Sequence, residues 1–244
     1  MTEGSPAASG PPPASPGSLR YFVLLYSPPA HRATLATLLA LGDEISTGMS
    51  RNLDHQVAHV RLEWWQREAE RFARGEAQHP WLRTLQQAHP ASRELDLLPL
   101  VDAAALDLAQ QTLRGRSDAA VQRELFILAA QALAADSLSP PQQQWLGELG
   151  ARTHELERAL RRKDAHEELT AALEGLQQQA QAIEVALQPR LAPLLVWAAL
   201  AARHAERRAR RPGGKSGSAL DAFADNMIAW SAARRAARGR FRID

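Results

Sequence analysis

The apolar residues of this chain are mostly leucine and alanine, and this choice constrains the fold more than any other feature of the sequence. Leucine and alanine lose little free energy on entering a helix, whereas strands favour β-branched and aromatic side chains, which are sparse here. No segment shows the strict two-residue alternation of a half-buried strand. The chain has 244 residues, of which 45% are hydrophobic, so it can bury a sizeable core. The sequence therefore predicts an all-α protein.

Composition also excludes several kinds of site. The chain has no cysteine, which excludes disulfides, thiolate metal sites and cysteine nucleophiles. Its N-terminal residues lack the charged segment and apolar run of a secretory signal. The longest apolar stretch, residues 191–202, is about half of the roughly 20 residues that span a bilayer, so it predicts a buried helix. We therefore expect a cytoplasmic protein.

Proline, glycine and serine divide the chain into a tail and a series of helices. Residues 1–18 are nearly all Pro, Gly, Ser and Ala, and we expect them to be disordered because they bury too little apolar surface. The ordered domain is then expected to span residues 19–244 as a single multi-helix bundle. Helical spacing and breakers predict eight or nine helices. They lie at about 27–48, 54–74, 79–89, 99–114, 118–136, 140–163, 165–187, 190–210 and 219–238.

Short motifs follow one another in a definite order in the first third of the chain. They are residues 20–22 (RYF), 26–29 (YSPP), 41–45 (LGDEI), 61–65 (RLEWW), Gly75 and 79–80 (HP). Their order and spacing resemble the start of the squalene/phytoene synthase family. Residues 99–108 and 146–150 continue the resemblance in the same order, so it covers nearly the whole predicted domain. It implies a helical bundle of the isoprenoid (trans-prenyl) synthase type.

The two metal-binding motifs of that family are degraded here. Family enzymes join two prenyl diphosphates head to head, using Mg²⁺ held between two aspartate-rich helices. The first motif corresponds to residues 42–48 (GDEISTG), where Asp43 and Glu44 are adjacent and point about 100° apart. The second corresponds to residues 154–164, where Arg161 stands at the expected position of a metal aspartate. This pattern resembles the non-catalytic branch of the family, whose members are assembly factors for respiratory complex I.

Two functions remain open from the sequence. The first is a binding or assembly protein without prenyl synthase activity or cofactor, with an isoprenoid or lipid ligand or respiratory assembly partners. The second is an active prenyltransferase that uses Mg²⁺ and an altered acidic set, or a phosphate clamp of arginines. That acidic set would be drawn from Asp43, Glu44, Asp102, Asp107, Glu155 and Glu157, and the clamp from Arg61 and Arg161. The candidate cavity or ligand-binding residues are Asp43, Glu44, Arg61, Trp65, Asp107, His154 and Arg161, of which only Asp43 and Glu44 would hold metal, in the active case.

The segment around the RLEWW motif allows more than one interpretation. Val57, Val60 and Trp64 recur at helical spacing and predict a buried stripe, which Trp65, Ala69 and Phe72 widen. We therefore expect removal of the Trp64 ring to destabilise the fold. Trp65, directly next to it, is more typical of packing than of ligand binding. Arg61 either holds a phosphate or pairs with Glu44 across the helices.

Basic residues concentrate near the C-terminal end. Residues 203–242 contain eleven Lys and Arg against three Asp and Glu. In the last predicted helix, one apolar face precedes the final arginines; it consists of Leu220, Phe223, Met227 and Trp230. Either this face docks on the bundle and the arginines lie in water, or the arginines bind anionic lipid head groups and hold the protein peripherally at a membrane. There is no zinc finger and no aromatic platform among the arginines, so nucleic acid is not an expected partner.

Overall fold

The computed structural model describes residues 10–48, 55–88, 94–114, 119–134, 136–162, 166–181, 188–210 and 219–238. Within these ranges the protein is all-helical, as predicted, with ten α-helices and no strand. The helices are α1 (Leu19–Leu25), α2 (Arg32–Gly48), α3 (His55–Arg74), α4 (Pro80–Ala88), α5 (Leu98–Arg114), α6 (Ala119–Leu133), α7 (Pro140–Arg161), α8 (His166–Gln181), α9 (Ala192–Arg210) and α10 (Ala219–Ala236). Short 3-10 turns precede α2 and α9.

Helix ends follow the local chemistry of capping residues. The Ser18 hydroxyl accepts the backbone N–H of Tyr21 and caps α1, which is not among the predicted helices. Gly75 has a φ of 81° and ends α3 in a Schellman motif, as its position predicted. Ser27 does not cap α2, because its hydroxyl donates to the carbonyl of Val23 at 2.6 Å, in the C-terminal turn of α1. Residues 1–9 of the predicted tail and 182–187 of the helix predicted at 165–187 lie outside the described residues.

The centre of the bundle is built from α6 and α9. Residues 191–202 are buried on all sides, which confirms the buried helix predicted for this stretch. The helix α6 packs against α2, α5, α7 and α9. No helix of the described residues is long and apolar enough to cross a membrane.

Glycines allow α6 to approach two neighbouring helices closely. A Cβ on Gly42 of α2 would lie 2.8 Å from the Leu125 side chain, and one on Gly150 of α7 would lie 2.6 Å from Phe126. The neighbours Leu125 and Phe126 are both fully buried. Two buried side chains of α6 therefore pack directly on the backbones of α2 and α7 at these glycines.

The predicted apolar face of α3 is buried only in part. Val57, Val60 and Trp64 are 43%, 66% and 37% exposed, so the prediction that they are buried is wrong. The residues that widen the predicted face form the inward stripe instead: Trp65, Ala69 and Phe72. Both stripes have helical spacing, and the packing of α3 against α5 and α4 selects the second.

The last helix also buries a different face from the one that the first of the two expectations placed on the bundle. Its apolar face of Leu220, Phe223, Met227 and Trp230 is 46–81% exposed and does not dock on the bundle. The face that docks on α9 instead carries small residues and one acid, namely Asp225, Ala229, Ala232 and Ala236. Small side chains bring two helix axes close together, and the carboxylate gains cationic partners on α9.

Candidate functional site

The acidic pair at the C-terminal end of α2 is engaged by side chains from two other segments. The Asp43 carboxylate accepts hydrogen bonds from the guanidinium of Arg20 on α1. Oε2 of Glu44 lies 3.4 Å from Nε2 of His79, in the turn between α3 and α4. The two acidic side chains remain 53% and 45% exposed. Each carboxylate therefore has its own partner, and the two do not converge on one point.

The imidazole that contacts Glu44 stands among three tryptophan rings. The ring centroids of Trp65, Trp81 and Trp64 lie 5.3, 5.1 and 6.2 Å from that of His79. Nδ1 of His79 is buried and has no hydrogen-bond partner within the described part of the chain. The RLEWW and HP motifs thus meet in space, and their shared neighbour is the acidic pair of α2.

A buried acid on α3 fixes the turn that carries His79. Oε1 of Glu68 accepts the backbone N–H groups of Gln78 and His79 at 2.6 and 2.7 Å. Its other oxygen pairs with Arg71 at 3.1 Å, and the side chain is fully buried. A buried carboxylate is stable only when it is paired and hydrogen-bonded, as this one is. Glu68 therefore positions His79 and is not itself open to a ligand.

A cleft of about 750 Å³ opens beside the acidic pair. Its lining is mainly apolar, with Leu24, Leu39 and Trp81 among the larger side chains. Residues 12–15, from the segment predicted to be disordered, form part of its lining. The volume lies within the range of roughly 300–1,000 Å³ that is usual for small-molecule pockets.

Arg61 supplies an available positive charge to this cleft. It lines the cleft together with Arg20, whose guanidinium is engaged by Asp43. Within the described residues, Arg61 makes no ion pair, and Glu44 contacts His79 instead of Arg61. An anionic group in the cleft would find the Arg61 guanidinium free to donate hydrogen bonds in a charge-assisted geometry.

The region of the second motif is separate from this cleft. Arg161 is 63% exposed and lies 3.7 Å from Glu157. Glu157 also accepts the indole N–H of Trp197 on α9. His154 is 8% exposed on the packed face of α7. Neither Arg161 nor His154, both expected in a cavity with the acids of α2, lines the cleft beside Asp43 and Glu44.

Asp107 also has a structural position. Its carboxylate accepts the backbone N–H groups of Ala120 and Val121 at 3.3 and 3.0 Å, and it is 3% exposed. Free N–H groups at a helix start favour such a carboxylate, so Asp107 caps α6. Its predicted place in a ligand cavity is corrected accordingly.

The altered acidic set does not assemble into a metal site. Asp102 is exposed on α5, and Glu155 pairs with Arg152 at 3.0 Å. Within the described residues, no group of three or more His, Asp or Glu side chains lies close enough to hold a metal ion. The donor set that the resemblance requires for Mg²⁺ therefore does not fit the residues present, since the α2 acids face Arg20 and His79 and Arg161 is itself a cation.

Of the predicted site residues, the cleft brings together Asp43, Glu44 and Arg61, and Trp65 adjoins them through His79. Arg20 was not predicted as a site residue, because its partner Asp43 is far from it in sequence. Glu68 was not predicted either, although an acid three residues after Trp65 falls on the apolar stripe of α3. An acid on a buried face indicates backbone or cationic partners nearby.

Comparison of the chain with models of protein families, with curated proteins and with solved structures finds no match. The side chains of the cleft are therefore the basis for assigning its ligand.

Proposed function

We propose that this protein is a squalene/phytoene synthase-like bundle that has lost prenyl synthase activity and acts as a binding or assembly protein. Its ligand is an amphipathic molecule with an anionic head and an apolar chain, such as an isoprenoid diphosphate or a lipid. The cleft beside α2 binds it. The observation that carries the proposal is the engagement of both α2 acids by Arg20 and His79, next to an available Arg61.

The loss of catalysis is supported by the charges around the acidic pair. Ionisation of a prenyl diphosphate needs clustered cations, supplied in the resembled family by Mg²⁺ on facing carboxylates. Here Arg20 neutralises Asp43, and Glu44 faces the aromatic surroundings of His79. In the region of the second motif, the expected position of a metal aspartate holds the cation Arg161, which pairs with Glu157.

The class of ligand is supported by the two kinds of surface in the cleft. Apolar walls from Leu24, Leu39 and Trp81 suit a hydrocarbon chain, and Arg61 suits a phosphate or carboxylate. The assembly role, with respiratory subunits as partners, is supported by the resemblance of the degraded motifs to the non-catalytic branch of the family.

The first test is incubation of the purified protein with labelled farnesyl or geranylgeranyl diphosphate and Mg²⁺. We expect binding without a head-to-head product. We also expect Arg61→Gln to weaken binding by about tenfold or more, the usual effect of losing one charge-assisted hydrogen bond. Arg67→Gln is the matched control, because Arg67 lies on the same helix, is 62% exposed and pairs only with Glu63 at 3.1 Å.

A Mg²⁺-dependent product that disappears in Glu44→Ala would instead establish the alternative, an active head-to-head prenyltransferase. Equal binding by the Arg61→Gln and Arg67→Gln variants would contradict the assignment of the cleft as the anion site.

A further inference from the structure

The outward face of α10 carries a continuous stripe of large apolar side chains. Leu220, Phe223, Met227 and Trp230 are 81%, 66%, 47% and 46% exposed. They step along the helix by three, four and three residues, so they lie on one side of it. A cluster of this kind is more than the scattered single apolar residues that any surface has, and it indicates a surface that something covers.

The inward face of the same helix is already fully occupied. Ala229 and Ala232 pack with Phe22 of α1 and Leu200 of α9. The Tyr26 hydroxyl also contacts Asn226 at 3.2 Å. The helix therefore cannot turn its large side chains inward without giving up this packing, and the stripe stays outward.

The acidic and the basic side chains of α10 lie on different sides of the helix. Its two acids, Asp221 and Asp225, are both engaged by Arg207 of α9. Arg234 continues the outward side, with its guanidinium 4.7 Å from the centre of the Trp230 ring. Arg238 follows one turn later and is exposed. The acids therefore lie against the bundle, and Arg234 and Arg238 place two cations at the described end of the apolar stripe.

We propose that this stripe, together with Arg234 and Arg238, docks α10 in the plane of an anionic phospholipid surface. Leucine, phenylalanine and tryptophan beside arginine are the composition of helices that lie in the bilayer interface. Tryptophan is favoured at head-group depth, and arginine contacts lipid phosphates there. A protein groove or a second copy of this chain would cover the apolar stripe equally well, but neither accounts for the cations at its end. This inference does not depend on the ligand of the cleft.

The test is co-sedimentation of the full chain with vesicles of phosphatidylcholine alone or mixed with phosphatidylglycerol. We expect binding to the anionic vesicles, weakening as salt shortens the range of the attraction. Arg234→Gln/Arg238→Gln should bind about thirtyfold more weakly, because each basic residue near an anionic surface raises the affinity about fivefold. Phe223→Ser/Trp230→Ser should lose binding by more than about tenfold.

One double variant and one stability measurement serve as controls. Arg67→Gln/Arg83→Gln removes the same charge from exposed positions on α3 and α4 and should bind as the wild type does. The α10 substitutions fall on exposed side chains, so their thermal unfolding should match that of the wild type, which separates lost binding from lost folding.

Three results would overturn the proposal. One is equal binding by the wild type and Arg234→Gln/Arg238→Gln. Another is equal binding to neutral and anionic vesicles. The third is a dimer in lipid-free sedimentation velocity that Phe223→Ser/Trp230→Ser dissociates, because the second copy would then be the occupant of the stripe.

Discussion

Trp65 is 6% exposed within the bundle, whereas the adjacent Trp64 is 37% exposed, and both rings contact His79. The two rings meet edge to face, with centroids 4.9 Å apart. Adjacent helical residues point about 100° apart, so one of them turns inward and the other lies over the edge of the aromatic cluster. Trp65 thus supports His79 from the core side, while Trp64 covers the imidazole from the solvent side.

The two tryptophans should differ in their contribution to stability. We expect Trp65→Ala to lower the free energy of unfolding by about 3–5 kcal/mol, the usual cost of removing a buried large aromatic side chain. Trp64→Ala should cost clearly less, because part of its ring already contacts water. Urea unfolding of both variants measures this difference. A larger loss in Trp64→Ala than in Trp65→Ala would show that the assigned inward face of α3 is wrong.

At the scale of helices, sequence pattern predicted the elements better than their orientation. Pro, Gly and Ser mark helix ends through local backbone chemistry, and the described helices begin and end close to the expected positions. In α3 and α10, however, two stripes share helical spacing, and the smaller side chains of α10 are the buried ones. Which stripe turns inward depends on neighbours distant in sequence, such as His204 and Arg207 for Asp225. Contacts between distant segments also limited the prediction of the cleft. Its α2 acids lie in a recognisable motif, but their partners Arg20 and His79 lie on other segments.

The acid that fixes α10 on α9 should make its docking depend on pH. Burial alone would raise the pKa of the Asp225 carboxyl, but hydrogen bonds and charges from His204 and Arg207 outweigh it and hold this pKa below its usual value. Oδ2 of Asp225 lies 3.0 Å from Nε2 of His204, and Arg207 also pairs with Asp221. A lowered pKa in the folded state gives stability above the unfolded pKa, and this stability is lost as pH falls through the folded value.

Asp225→Asn should therefore lower the free energy of unfolding by about 2 kcal/mol near neutral pH, a typical loss for a hydrogen-bonded charge. The difference from the wild type should shrink as pH falls from the ordinary pKa of an aspartate in the unfolded chain, about 3.9, towards the lower pKa of the folded carboxylate. Chemical denaturation across this pH range measures it. Asp102→Asn, at an exposed position on α5, is the control and should show little effect. A difference that stays constant down to pH about 2 would contradict the ionic role of Asp225.

On the scale of the whole molecule, burial is concentrated in two helices, and the surfaces with assigned functions lie away from them. α6 contacts four other helices, and the first two-thirds of α9 is buried on every side. The cleft is lined from α1, α2, α3 and α4, and the apolar stripe lies on the outward face of α10. At the centre, Leu125 and Phe126 of α6 pack directly against the backbones of Gly42 and Gly150 on two neighbouring helices.

This distribution predicts an order of local opening. Segments with few buried contacts open at lower free energy than segments that open only when the whole domain unfolds. α10 packs chiefly on α9 through small alanines, with its other face in water, so its amides should exchange hydrogen earlier than those of α6. The amides of α6 and of the buried part of α9 should exchange last, at rates set by global unfolding. Hydrogen exchange followed by mass spectrometry on the free protein measures this order. If α10 were as strongly protected as α6, a further partner would already cover its outward face, and the open stripe described for the free protein would be wrong.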